Sequence, residues 1–202
     1  IALGARLISM GAIRDDGFRY LKPPGWENED ALISAAIESA KQFRLDRQDG
    51  QERRLLLWCE AGGMAPQLQA AADPYGIPVL SSGVFDSLTS KHEMARRISE
   101  YGGAEILHIG DHDPSGVHLY MSLDQDLRAF LEYYGGDIEF TRLAVTPDQI
   151  HELELPTAPP KKTDRRAFVG ETTQCEAIPA RQLREIVIYA IQERLDTEAY
   201  QA

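Results

Sequence analysis

Carboxylates at the exit of a buried strand are costly unless something binds them. The stretch Glu105 to Gly116, EILHIGDHDPSG, is apolar through Ile106, Leu107 and Ile109, then delivers Asp111, His112 and Asp113 ahead of a Pro-Ser-Gly turn. Earlier, the run RLLLWCE from Arg54 ends in Glu60. Short continuous apolar runs bounded by turn residues predict strands buried on both faces. In a parallel α/β sheet the functional groups gather at the carboxyl ends of the strands. If these two strands are neighbours, Glu60, Asp111 and Asp113 converge on one solvent-facing pocket and repel each other there, which calls for a hard divalent cation. Mg²⁺ suits best, with Mn²⁺ as a substitute, because one or two carboxylates suffice and water and substrate phosphate complete its shell. Plainer readings exist for each acid alone. Glu60 could face the dipole of a helix starting near Met64, and Asp113 could cap the helix that follows it. A glutamate and an Asp-x-Asp at two strand ends together favour the metal.

The elements that must position these groups alternate. After RLLLWCE, the segment GGMAPQLQAAADPYG reads as a helix, IPVLSSG as a second strand, and SLTSKHEMARRISEYGG as a second helix. AEILHIGD is the third strand, SGVHLYMSLDQDLRAFLEYYGG a long helix and DIEFTRLAV a fourth strand, with Thr146 capping TPDQIHEL. Strand and helix in this rhythm mean right-handed βαβ units: a Rossmann-like α/β fold with a parallel four-stranded sheet flanked by helices. In the N-terminal segment, Leu32, Ile33, Ala36, Ile37, Ala40 and Phe43 recur at helical spacing. The Pro-rich basic stretch ELPTAPPKKTDRRAFVGETTQ is expected as an extended surface loop. It leads to a closing helix with Leu183, Ile186, Val187, Ala190, Ile191 and Leu195 on one face. Three segments follow: 1–52, helical and loop material; 53–155, the α/β core; 156–202, the basic loop and a C-terminal helix packing on the core. Because the chain opens on Ile1 rather than Met, residues 1–52 are expected to be the remnant or connector of a larger protein.

The bulk properties bound the reading. With 202 residues, 43% hydrophobic and 26% charged, the chain can bury a substantial core and is not disordered. No apolar run nears the length of a bilayer span, so no membrane partner is expected. Its two cysteines, Cys59 and Cys175, form no CxxC pair, which excludes a cysteine-pair zinc site and fits a reduced, cytoplasmic protein. A net charge of −11 argues against gripping nucleic acid through overall charge. Local grip remains open through Arg53-Arg54, Arg96-Arg97 and the stretch KKTDRR.

A strand ending in Glu, then a later strand ending in Asp-x-Asp, resembles the Toprim domain of topoisomerases, DnaG-type primases and certain nucleases. GDHDPSG followed by a helix is similar to the Asp-x-Asp-Pro-x-Gly of the topoisomerase VI A subunit and its meiotic double-strand-break relatives. CEAIPARQLREIVIYAI resembles the tail of those proteins. The resemblance covers Arg53 to Asp196. It implies Mg²⁺-dependent chemistry on DNA phosphodiester bonds, topoisomerase-like or nuclease-like, with Asp111 and Asp113 holding metal and Glu60 holding metal or acting as general acid or base. It also departs from the family. Relatives commonly carry a lysine after the glutamate, where this chain has Ala61-Gly62-Gly63. Their nucleophilic tyrosine sits in an upstream winged helix, and nothing around Tyr20 resembles one.

Among the neighbours, Ser115 and Gly116 open a helix whose N–H groups favour anions, and His118 lies one turn on. Lys161, Lys162, Arg165 and Arg166 are the residues expected to touch a DNA backbone without reading its sequence. Ser81, Ser82 and Gly83 end the second strand near the pocket. Strand alternation turns His112 away from the acids toward a packed or surface role, and Glu176 is read as structural ahead of a second reading as an additional acid at the site. Two alternatives stay open beside the enzyme. One is a non-catalytic Toprim module for metal or DNA binding or for dimerisation, with other subunits of a DNA-processing complex. The other is a phosphohydrolase of the haloacid-dehalogenase type, which lacks its expected threonine here and leaves Glu60 without a role.

Overall fold

The computed structural model describes residues 25–41, 46–81, 87–161 and 163–201. Tyr20, Phe43, Ser82, Gly83 and Lys162 lie outside them. The chain divides into two units, Ile1–Leu45 and Asp46–Ala202. In the first, α1 (Glu29–Lys41) bears Glu29 and Asp30 in its first turn and Lys41 in its last, complementing the helix dipole. Asn28 Oδ1 accepts the Ala31 N–H at 2.8 Å and closes its start.

The second unit is built on four strands with helices between them. In chain order they are β1 (Arg54–Cys59), α2 (Ala65–Ala72), β2 (Val79–Ser81), α3 (Leu88–Glu100), β3 (Gly103–Ile109), α4 (Pro114–Tyr134) and β4 (Asp137–Ala144). Then follow α5 (Pro147–Glu152), α6 (Ala180–Gln192) and α7 (Thr197–Gln201). The sheet order is β2-β1-β3-β4 and every pairing is parallel. This is the expected Rossmann-like α/β arrangement, with β1 and β3 side by side in the middle. Residues 46–52 fold with this unit. Gln48 is buried, its Oε1 accepting the Leu55 N–H at 2.6 Å and its Nε2 donating to the carbonyls of Leu55 and Gly76.

Strand alternation divides the core between the two faces. Leu55, Leu57, Cys59, Leu107 and Ile109 pack with Leu68 of α2 and with Leu183, Val187 and Ile191 of α6. Trp58, Ala104 and Ile106 pack with Ala95 and Ile98 of α3 and with Leu123, Leu127 and Leu131 of α4. Both faces of β1 and β3 are therefore covered, which is why their sequences run apolar without alternation. Thr146 caps α5 as expected, in a reciprocal box: its Oγ1 accepts the Gln149 N–H and Gln149 Oε1 accepts the Thr146 N–H. No helix among the described residues is long and apolar enough to cross a membrane.

Candidate functional site: the carboxylates at the exits of β1 and β3

β1 and β3 end in register, Cys59 opposite Ile109, so Glu60 and Gly110-Asp111 leave the sheet together. The Glu60 N–H donates to the Ile109 carbonyl at 2.8 Å. In return the Asp111 N–H donates to Glu60 Oε2 at 3.2 Å, across 51 residues of sequence. Asp111 Oδ1 accepts the Cys175 N–H at 2.8 Å. Asp113 is the N-cap of α4: its Oδ1 accepts the Gly116 N–H at 2.7 Å and the Ser115 hydroxyl at 3.3 Å. Asp113 thus has the capping role that its spacing to the helix allowed, while still lining a cleft with Asp111.

Two glycines make this closeness possible. A Cβ on Gly110 would overlap Glu60 Oε2 and sit 2.7 and 2.8 Å from Cε1 and Nε2 of His108. A Cβ on Gly116 would overlap the Asp111 carbonyl oxygen and lie 3.0 Å from Glu60 Oε2. The Glu60 carboxyl therefore rests against bare backbone on two sides. Burial raises its pKa to about 7, and the charges of Asp111 and Asp113 push the same way against the pull of the Asp111 N–H and Arg142. A carboxyl poised near neutrality is suited to giving and taking protons.

Sequence reasoning missed the cation behind these acids. Arg142, near the end of β4, sends Nη2 to the carbonyls of Gly110 and Asp111 and Nε to that of Val145. Its guanidinium lies 5.8 Å from the Tyr120 ring centre. Burial lowers its pKa, while the charges of Glu60, Asp111 and Asp113 act to raise it. Its cross-strand neighbour on β3 is His108, which is fully buried between the Trp58 and Tyr120 rings. Burial depresses the His108 pKa to about 3, so the ring is neutral. In sequence Arg142 reads as an ordinary polar position of an edge strand, and only the cover from α4 turns it inward.

Cys175 was not expected near the acids. Ligand atoms of Asp111, Cys175 and Glu176 lie within 4.8 Å of one another, the one such metal-competent grouping among the described residues. Glu176, read from the sequence as structural first and as an additional acid second, thus has a carboxylate oxygen close to Asp111. Cys175 is fully buried, and its thiol is pushed well above the usual range by burial and by Asp111 and Glu176. A thiol held protonated is a poor metal ligand, and the carboxylate oxygens that remain are the donors a hard cation takes.

The basic segment folds alongside. Antiparallel bridges join His112 to Thr173 and Ala158 to Thr172. The His112 ring packs on Phe168, their centres 5.1 Å apart, in keeping with its expected packing role. A cleft of about 550 Å³ runs between Asp113, Ser115, Lys161, Arg165, Arg166 and Thr172. A second, of about 620 Å³, is lined by Asp111, Asp113, Lys161, Thr173 and Glu176. Both fall within the size range of small-molecule sites. Arg166 is also paired with Asp164 at 2.9 Å. His118 is exposed and lines neither cleft. Ser81 ends β2, one strand away from the acids.

No protein-family model, no curated protein and no solved structure matches this chain.

Proposed function

We propose that the Glu60, Asp111 and Asp113 carboxylates hold Mg²⁺, with Mn²⁺ as a substitute, and that this Toprim-like site acts on DNA phosphodiester bonds by strand cleavage or transesterification. The observation that carries the reading is the hydrogen bond from the Asp111 amide to Glu60, which ties two distant strand exits together. The three-residue grouping within 4.8 Å joins Asp111 to Cys175 and Glu176 rather than to Glu60 and Asp113. Oxygen donors of this kind fit a hard ion. Asp111 and Asp113 would hold it, and Glu60 would share it or act as acid and base. Once bound, the metal supplies charge neutralisation for a phosphate.

The chain's own groups do the remainder. Without metal the Glu60 pKa stands at about 7, and a bound cation would lower it, so Glu60 would serve as acid and base only where it does not itself ligate the ion. Lys161, Arg165 and Arg166 share a cleft with Asp113 and Ser115, so a sugar–phosphate backbone gripped there passes beside the carboxylates. Such grip carries no base readout, which suits an enzyme of broad sequence tolerance.

A second reading is a non-catalytic module that binds metal or DNA, or forms a homodimer or joins other subunits of a DNA-processing complex. It is favoured by the fact that each of the three carboxylates already accepts a backbone N–H, a structural use. Calorimetric titration of Mn²⁺ into the chain and into an Asp111→Asn/Asp113→Asn variant tests the metal site. Binding lost in the variant supports it, and equal binding or none in both overturns it. Nicking of supercoiled DNA with Mg²⁺, abolished in Glu60→Gln, supports the enzyme. Metal binding without nicking moves the assignment to the module.

A further inference from the structure

We propose that Arg142 is a positioning residue for the carboxylate site, orienting the Gly110–Asp111 turn so that the Asp111 N–H and side chain face their partners; this rests on the metal-site reading above. The argument starts from peptide geometry. Gly110 C=O and Asp111 N–H belong to one planar trans unit, so the direction of the carbonyl fixes the direction of the N–H. That carbonyl accepts from Arg142 Nη2 at 3.1 Å and from the Val145 N–H at 2.9 Å. The N–H of the same unit donates to Glu60 Oε2. The next carbonyl, that of Asp111, also accepts from Arg142 Nη2.

Two successive peptide planes, one on each side of Asp111, are thereby held by a single guanidinium. Its Nε reaches Val145 and so ties the β3 exit to the β4 exit. Planar, forked donors can serve three carbonyls at fixed angles, whereas a lysine ammonium presents a single point. The fork is itself constrained, with Tyr120 near its face and His108 beside it in register. Its Nη1 is buried without a hydrogen-bond partner among the described residues, as are both ring nitrogens of His108. All three carbonyls that Arg142 serves lie at the exits of β3 and β4, so what the guanidinium holds is the turn itself.

Outer groups that orient metal ligands typically change metal affinity by about 10–100-fold when replaced. The test uses the whole chain, wild type and Arg142→Lys, with two readouts. Amide hydrogen exchange at Asp111 is expected to speed up on the order of tenfold or more in R142K, with Leu57 and Cys59 of β1 unchanged. Mn²⁺ affinity by calorimetry is expected to fall by at least about tenfold in a variant that remains folded at the temperature of measurement. A folded R142K whose Asp111 amide stays as protected as in wild type overturns the proposal. If wild type binds no Mn²⁺, the metal-site reading fails, and the exchange result still decides whether Arg142 orients the turn. Should R142K not fold, Arg142→Met, which keeps the buried stem and removes the fork, is judged by the same criteria.

Discussion

Glu60 supplies the sharpest quantitative test, because its environment opposes its charge. In the folded chain its pKa rises from 4.5 to about 7, chiefly through burial and then through Asp111 and Asp113. Below about pH 4.5 both folded and unfolded chains hold the proton and nothing distinguishes them. Between there and pH 7 only the folded chain holds it, so folding stability falls as pH rises. Above 7 the whole cost stands. At about 1.4 kcal/mol per unit, that cost is ~3 kcal/mol, an upper figure because solvent reaching the site screens part of the repulsion. Glu60→Gln removes the charge and retains an oxygen able to accept the Asp111 N–H. Urea unfolding of both proteins with chelator should therefore give nearly matching stabilities at about pH 4. Near pH 8 the variant should be the more stable by up to ~3 kcal/mol. Asp111, Asp113 and Arg142 feel the Glu60 charge, so the difference reports the coupled site rather than Glu60 alone. A difference between variant and wild type that is the same at both pH values refutes the argument.

Three further outcomes follow from the geometry. Gly110→Ala forces a methyl group into Glu60 and His108 and should cost about 1–3 kcal/mol in urea unfolding while weakening Mn²⁺ binding. Cys175, buried with its thiol pushed well up, should resist aromatic disulfide reagents in the native chain and react once denatured, the rate following unfolding. Phe168→Ala removes the contact with His112 and should leave the melting temperature nearly unchanged. It should also speed tryptic cleavage at Lys161, Arg165 and Arg166, read by mass spectrometry.

The sheet and its acidic edge were legible because both depend on short-range pattern. RLLLWCE and AEILHIGD announce strands covered on two faces, and the rule of carboxyl ends then brings Glu60 and Asp111 together without knowledge of their contact. Arg142 and Cys175 escaped for different physical reasons. Arg142 sits among Phe140, Thr141 and Leu143 at a position that alternation allows to be solvated, and in the folded chain Tyr120 of α4 lies near its guanidinium. Cys175 is 64 residues from Asp111 and is delivered by an irregular segment. That segment is held by two isolated bridges with no periodic signal. Glu60 also has no lysine after it, and the positive charge at the site comes instead from a strand two places across the sheet, at Arg142.

The residue between the two aspartates explains how an acidic chain can offer a cationic cleft beside its carboxylates. His112 shares the turn with Asp111 and Asp113, both of which line the second cleft. Its backbone pairs with Thr173 in both directions, at 2.9 and 3.0 Å, and its ring seats Phe168. Phe168 lies two residues beyond Arg166, so the contact that occupies the middle of the Asp-x-Asp also anchors the basic segment next to it. At physiological salt, exposed charges farther apart than about 8 Å are largely screened. The overall −11 charge then counts for little at contact, and the local balance there is Lys161, Arg165 and Arg166 against Asp113 and Asp164. The spacing of the motif thus has a mechanical side: Asp111 and Asp113 present carboxylates to the second cleft, and His112 between them holds Phe168 and the backbone of Thr173.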